Sequence, residues 1–531
     1  MSRIDPYPTP QSESETSDYI EHVNPLENQR LIKQGLLHYS GHIASILSSI
    51  VLVPLMLHRL GAEAYGLWIV ALAVPGLSSG VDNALYLSIA REAGLHGSGG
   101  RIIDQSTSAF LTACCGAYVA FGALGGILLV VCESSIIRHL HWDPFVRDAA
   151  PATFLAVAIG FAVGRIVVFG NAVLSGLQRF GSINALSVAA LMLRFSGFAV
   201  LLEFHRTLKA IAGWYGFVSI IECALMIVII RRLDVLVGNR AFLRWRLLAR
   251  SGGFAFSSFL TSLLQNLCWY SPPVLLGILS GGTSSTISLY AGQRPCFIIS
   301  DFTWRGAEVV FSAAAGASDD SRPSAQDQLV IFGTKCLLAV AMPLCIGLLI
   351  LAPVVVQVWL RVPRPETAAV MRLTSLGVVA DALWAGPLHA LWGRGYAKRV
   401  LAITAGLTAS ILILNVVLIP RYGTPGSAFA FAVSAWGGAL ITCIIAAREI
   451  GATPIDFLMQ SFSEVIIPSA ALGGFVLALT KAFPFQPRLL LAVAIPSGGA
   501  LYTGLYWMLL RIRNKSSDPI QFWFKRILKR I

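Results

Sequence analysis

From residue 36 onward the chain alternates between apolar runs of about 20 residues and short polar breaks. At 1.5 Å of rise per residue, runs of that length suit helices that cross a bilayer. An outer-membrane barrel would instead show ten-residue segments of alternating polarity. The pattern predicts an all-α membrane protein with fourteen spans: 36–57, 66–90, 107–131, 151–174, 183–202, 210–230, 252–279, 286–313, 329–352, 367–392, 400–419, 424–446, 464–481 and 488–510. Pro75, Pro272, Pro273 and Pro343 fall inside spans, so kinks are expected there. Residues 1–34 are polar and rich in Ser, Glu and Pro, which predicts a disordered tail.

One span breaks the apolar rule. The run 287–315 carries Arg294, Asp301, Arg305 and Glu308 at steps of seven, four and three. At about 100° per residue all four fall within roughly 60° of one another, as a single charged stripe. A charge near the bilayer centre costs about 2.5–3.5 kcal/mol, so the stripe is expected to face protein or a wet cavity. Two readings stand side by side. Asp301 with Arg305, and Arg305 with Glu308, have the spacing of a self-neutralising ladder. Arg294, in contrast, has no acidic residue three or four positions away, which favours a stripe that lines a transport path.

Composition agrees with the pattern, because 56% of the 531 residues are hydrophobic and only 13% are charged, with mean hydropathy +0.71. The net charge of +13 does not point to nucleic acid, since Lys and Arg are scattered through short loops. With fourteen spans both termini share one side, whose loops and tails carry 24 Lys and Arg against 10 on the other when Lys481 and Arg488 at the ends of the last two spans are included; that side is predicted to be cytoplasmic. Six of the 24 lie at 231–250, in the longest connection, which predicts a hinge between two halves. The expected organisation is a cytoplasmic tail (1–34), an N-lobe of spans one to six (35–230), a basic loop (231–251), a C-lobe of spans seven to twelve (252–447), two further spans (448–510) and a basic tail (511–531). In that last segment Phe522, Trp523, Phe524, Ile527 and Leu528 alternate with Lys525, Arg526, Lys529 and Arg530, as in a helix lying on an anionic leaflet. The nine Cys show no metal-ligand spacing and no Walker motif is present, so no cofactor or metal is expected.

Weak internal symmetry accompanies the proposed hinge. GLQRFGS at 176–182 and LWGRGYA at 391–397 place Arg179 and Arg394 alike, and Tyr65 and Tyr290 follow corresponding loops. The run VPLMLHRLGAEAYGLW at 53–68, then VDNAL at 81–85 and Arg91-Glu92, resembles the N-terminal signature of Wzx-type polysaccharide flippases of the MOP exporter superfamily. ISLYA at 287–291 and YGTPGSA at 422–428 are similar to later parts of that pattern. Where the family usually shows Gly two residues after the Asp, this chain has Ala84. The resemblance implies a two-lobed MATE-like bundle. It also implies transport of a polyprenyl-pyrophosphate-linked oligosaccharide across the bacterial inner membrane, with membrane lipids and glycan polymerase machinery as partners and no bond-forming catalysis.

Such a substrate needs cations for its pyrophosphate and polar groups for its glycan. Besides the stripe, the basic candidates are Arg165 and Arg194, for which a structural pair with Glu222 is the competing reading. Lys335 and Arg372 lie near span ends and are expected to snorkel. His38, His42, Ser45 and Ser49 form one polar face of span one, either a cavity wall or a hydrogen-bonded seam. Gln265 and Asn266 sit at mid-depth in span seven, where their amides suit glycan hydroxyls or helix packing. Asp82 and Asp381 are isolated acids, candidates for ion coupling or for salt bridges. Two other functions stay open: a multidrug or organic-cation antiporter of the same superfamily, and a membrane glycan polymerase or ligase. The excess of intramembrane Arg disfavours the first, and the lack of a large external loop the second.

Overall fold

The computed structural model describes residues 48–78, 85–86, 89–90, 92–93, 105–139, 144–177, 179–205, 207–233, 252–280, 284–316, 323–483 and 486–512. His42, Asp82, the tail at 1–34, most of the 231–251 loop and the aromatic-basic segment at 522–530 lie outside them. Glu308 is on a described helix, but its side chain is outside the description.

Every element among the described residues is a helix. They run α1 (Ser48–Leu60), α2 (Ala62–Ser78), α3 (Gln105–His139), α4 (Pro144–Gly176), α5 (Phe180–Phe204), α6 (Leu208–Arg232) and α7 (Gly252–Leu279). After these come α8 (Ser284–Gly316), α9 (Pro323–Leu360), α10 (Pro365–Gly393), α11 (Ala397–Glu449), α12 (Pro454–Phe462), α13 (Ile466–Ala482) and α14 (Pro487–Ile512). Eight of the described helices are long and apolar enough to cross a membrane, and α12 with α13, bent by 52°, make a ninth candidate. The chain is a multi-pass membrane protein. α8 is not among the eight, as its stripe of charge requires.

The predicted break between spans eleven and twelve is a kink inside α11. Gly423 holds φ 59°, a left-handed conformation open to glycine, between Pro420 and Pro425. The nine-residue α12 was absent from the predicted spans. Thr453 caps it by accepting the Asp456 amide, Phe457 and Ser461 face inward, and Ile455 and Met459 face out.

Packing is densest around α10, which touches α8, α9 and α11. Of its most apolar stretch 72% is buried, against 22% for α14, so α10 is the core of its half and α14 a lipid-facing flank. Close approach there depends on small residues: a Cβ on Gly292 would stand 2.6 Å from Val370, and one on Gly386 2.8 Å from the Thr334 hydroxyl. On the other side of the molecule α4 packs on α3, α5 and α6, while α2 reaches both α4 and the α7–α8 pair.

Lys335 corrects one expectation. It does not snorkel; it is buried on α9 and pairs at 2.9 Å with Glu464, which is 1% exposed in the turn between α12 and α13. Buried charges need such a partner, and this one ties the last helices to α9. Arg372 does stay exposed, donating to the Leu349 carbonyl. The cysteines form no disulfide among the described residues, and seven of them are buried in helix packing.

Candidate functional site

A cavity of 530 Å³ opens between α2, α7 and α8. From α8 come Tyr290, Gln293, Arg294, Phe297 and Asp301, a recurrence of three and four residues that puts them on one helical face. α7 contributes Asn266, Trp269, Tyr270 and Pro273, and α2 contributes Tyr65, Trp68, Ile69, Leu72 and Ala73. Pro295 in α8 and Pro272 and Pro273 in α7 remove backbone donors beside the cavity, loosening both helices where they wall it.

The charges are unequally held. Arg294 donates from Nε to the Ser49 hydroxyl of α1 at 3.3 Å, and no ion pair of Arg294 occurs among the described residues. Asp301 is exposed to the cavity and Arg305 is half-buried on the same helix; each has a partner. Arg305 is not among the lining residues. Aromatic contacts bound the space: Tyr65 and Tyr290 meet edge-on at 6.3 Å, and the Tyr270 ring lies where a Cβ on Gly76 would be 2.4 Å away. Trp359 donates to the Ile50 carbonyl at 2.7 Å, a second tie from α1 to the later helices.

No family model matches the chain. It is 25% identical over 158 residues to a Shigella flexneri protein called "Putative O-antigen transporter", a match that covers 29% of this chain and 36% of that one. Among solved structures it is similar to the lipid II flippase MurJ in an inward closed conformation, with TM-score 0.73 at 13% identity over 90% of this chain and 99% of that one. An outward-facing multidrug MATE transporter of the MOP superfamily gives TM-score 0.59 at 13% identity, over 79% and 95%. A MOP superfamily transporter from Pyrococcus furiosus gives 0.58 at 13%, over the same shares. The chain shares the fold of these transporters.

Within this fold a second cavity of 260 Å³ is lined by α2, α4, α5 and α6, and Leu72 lines both. It holds Arg165, Arg194, Tyr215, Ser219 and Glu222. Arg194 pairs with Glu222 at 2.5 Å and donates to Ser219 at 3.4 Å, so the pair named as its competing reading is present. The Arg165 guanidinium lies 4.4 Å from the centre of the Phe161 ring. Tyr215, beneath Arg194, meets Trp68 edge-on at 5.3 Å, which links the two cavities through aromatic rings.

Asp381 is elsewhere, 2% exposed inside α10. Its carboxylate accepts from the Ser300 hydroxyl and, at 2.8 Å each, from the indoles of Trp304 and Trp384. Ser300 and Trp304 knot α8 to α10, and Trp384 donates from within α10 itself. Gln265 lines a crevice of 20 Å³ beside Asp381, with a buried Nε2 that has no hydrogen-bond partner among the described residues, whereas its neighbour Asn266 faces the main cavity. The structure therefore gathers Arg294, Asp301 and Asn266, sets Arg165 and Arg194 next door, and keeps Gln265 and Asp381 apart.

Residue chemistry alone missed the aromatic wall of Trp68, Trp269, Tyr290 and Phe297. A signal for part of it was available: Tyr65 and Tyr290 are the tyrosines that follow corresponding loops, and they are the two that touch. Gln293 went unnoticed beside Arg294.

Proposed function

We propose that this protein is a Wzx-type flippase that carries polyprenyl-pyrophosphate-linked oligosaccharide from the cytoplasmic to the outer leaflet of the bacterial inner membrane, with both termini cytoplasmic. The observation that carries the reading is Arg294: a guanidinium at membrane depth, facing a cavity, held by a hydroxyl and, among the described residues, by no carboxylate. Its planar fork suits two phosphate oxygens. Amides of Asn266 and Gln293 beside it suit glycan hydroxyls. Residues 35–230 and 252–447 act as two lobes that rock about the cavity, joined by the 231–251 loop, with 448–510 as an appended pair of spans. The likeness to MurJ and the O-antigen transporter match support this assignment.

The test is a deletion strain lacking any redundant flippase. Lipid-linked glycan should accumulate in the cytoplasmic leaflet while its synthesis continues; normal export would refute the reading. A second reading, organic-cation antiport, draws on Asp301 and the aromatic residues in the same cavity and on the MATE likeness. It predicts drug resistance that depends on Asp301 and survives loss of Arg294.

A further inference from the structure

The nine residues of α12 connect two apolar helices, α11 and α13, and present three kinds of side. At about 100° per residue Phe457 and Ser461 share one side, and both are fully buried. Leu458 and Phe462 follow round the helix, half-buried against the core. Ile455 and Met459 come next, 72% and 68% exposed and within about 40° of each other. Asp456 and Gln460 complete the circle as an exposed polar side, centred about 100° from the apolar one. Water does not suit the first exposed side, and hydrocarbon does not suit the second.

Length places α12 along the bilayer normal. The 17 residues of α13 rise about 26 Å, so α13 alone nearly crosses a hydrocarbon core about 30 Å thick. α12, bent from it by 52°, adds about 8 Å in that direction, which carries it across the boundary between acyl chains and headgroups. Exposed apolar side chains continue into α13 at Ile466 and Ile467. Both ends of the segment are fastened. Thr453 donates to the Asp456 carboxylate and accepts from its amide, and Glu464, two residues past the helix, pairs with Lys335 of α9.

We propose that α12 is an interfacial helix that seats the protein in the surface of the bilayer, with Ile455 and Met459 between acyl chains and Asp456 and Gln460 among headgroups. The lipid contact is apolar. Residues 453–463 include no Lys or Arg, so anionic headgroups are not required for it. This contact is separate from the transport path and holds whatever the cargo.

Full-length protein in phosphatidylcholine nanodiscs tests this. A fluorescent amino acid is placed by stop-codon suppression at position 455, 456, 459 or 460, one site per sample. It is quenched with iodide from water or with phosphatidylcholine brominated on its acyl chains. Quenching by brominated lipid should be about threefold stronger at 455 and 459 than at 456 and 460, and iodide quenching should be ordered the other way. If the inserted residue disturbs the helix, the unaltered protein decides: phosphatidylcholine with a photoactivatable carbene precursor in its acyl chain should mark Ile455 and Met459 as well as Ile466 and Ile467. Equal access of iodide to all four sites would overturn the proposal and leave the apolar side to a soluble protein. Lipid adducts on Ile466 and Ile467 alone, or a lipid contact that appears only when anionic lipid is added, would overturn it too.

Discussion

Two populations of charge share the interior of this bundle. In the first, each group has a strong local partner: Lys335 with Glu464, Arg194 with Glu222, and Asp381 within its cage of two indoles and a hydroxyl. In the second, at the main cavity, Arg294 leans on a single serine among the described residues. A membrane-embedded charge that is paired serves the fold without further explanation. One that faces a cavity with only a hydroxyl in support carries an insertion cost that a ligand can offset. The difference teaches where substitution should damage folding and where it should damage transport.

The largest structural effect is expected at Lys335. Lys335→Ala leaves Glu464 buried without its cation, a loss of about 3–5 kcal/mol, read as a fall in abundance and thermal stability. Lys335→Met combined with Glu464→Leu should recover much of it. If the single variant is as stable as the parent, the pair belongs in neither population. At Arg194 the loss should be smaller, about 1–3 kcal/mol for Arg194→Ala, because that pair is only half-buried. Thermal unfolding in detergent measures both.

Asp381 sharpens the division further. Asp381→Ala removes the shared acceptor of three donors, a loss of about 1–3 kcal/mol, whereas Asp381→Asn keeps an acceptor and should be milder. Export by the Asn variant should follow its abundance. A well-expressed Asp381→Asn protein with no export would move Asp381 into the functional population. The smallest effect is expected for Ser49→Ala, about 0.5–1.5 kcal/mol, with export retained, since the guanidinium fork stays in place.

Much of this arrangement was legible in the chain. Apolar runs marked α3 to α11 closely, and the gap at 420–423 between two predicted spans marked the break inside α11. The intramembrane position of Arg294 flagged α8 before any packing was known. Three things were not legible, for physical reasons. Lys335 looked like a snorkelling end residue because its partner is 129 positions away, in a turn between helices. α12 was hidden because nine amphipathic residues do not make a span. The aromatic wall was hidden because Trp269 and Phe297 sit in helices with apolar residues on several sides, where periodicity does not reveal which face meets a cavity.

The central claim is that Arg294 holds substrate and not the fold. The direct measurement is glycan export, normalised to protein in the membrane, for Arg294→Ala and Arg294→Lys in a strain lacking the parent protein. Both variants should reach the membrane at near-parental levels. Export should be abolished by Ala and reduced by Lys, which keeps the charge but loses the bidentate fork. Full export by a normally abundant Arg294→Ala protein would contradict the account.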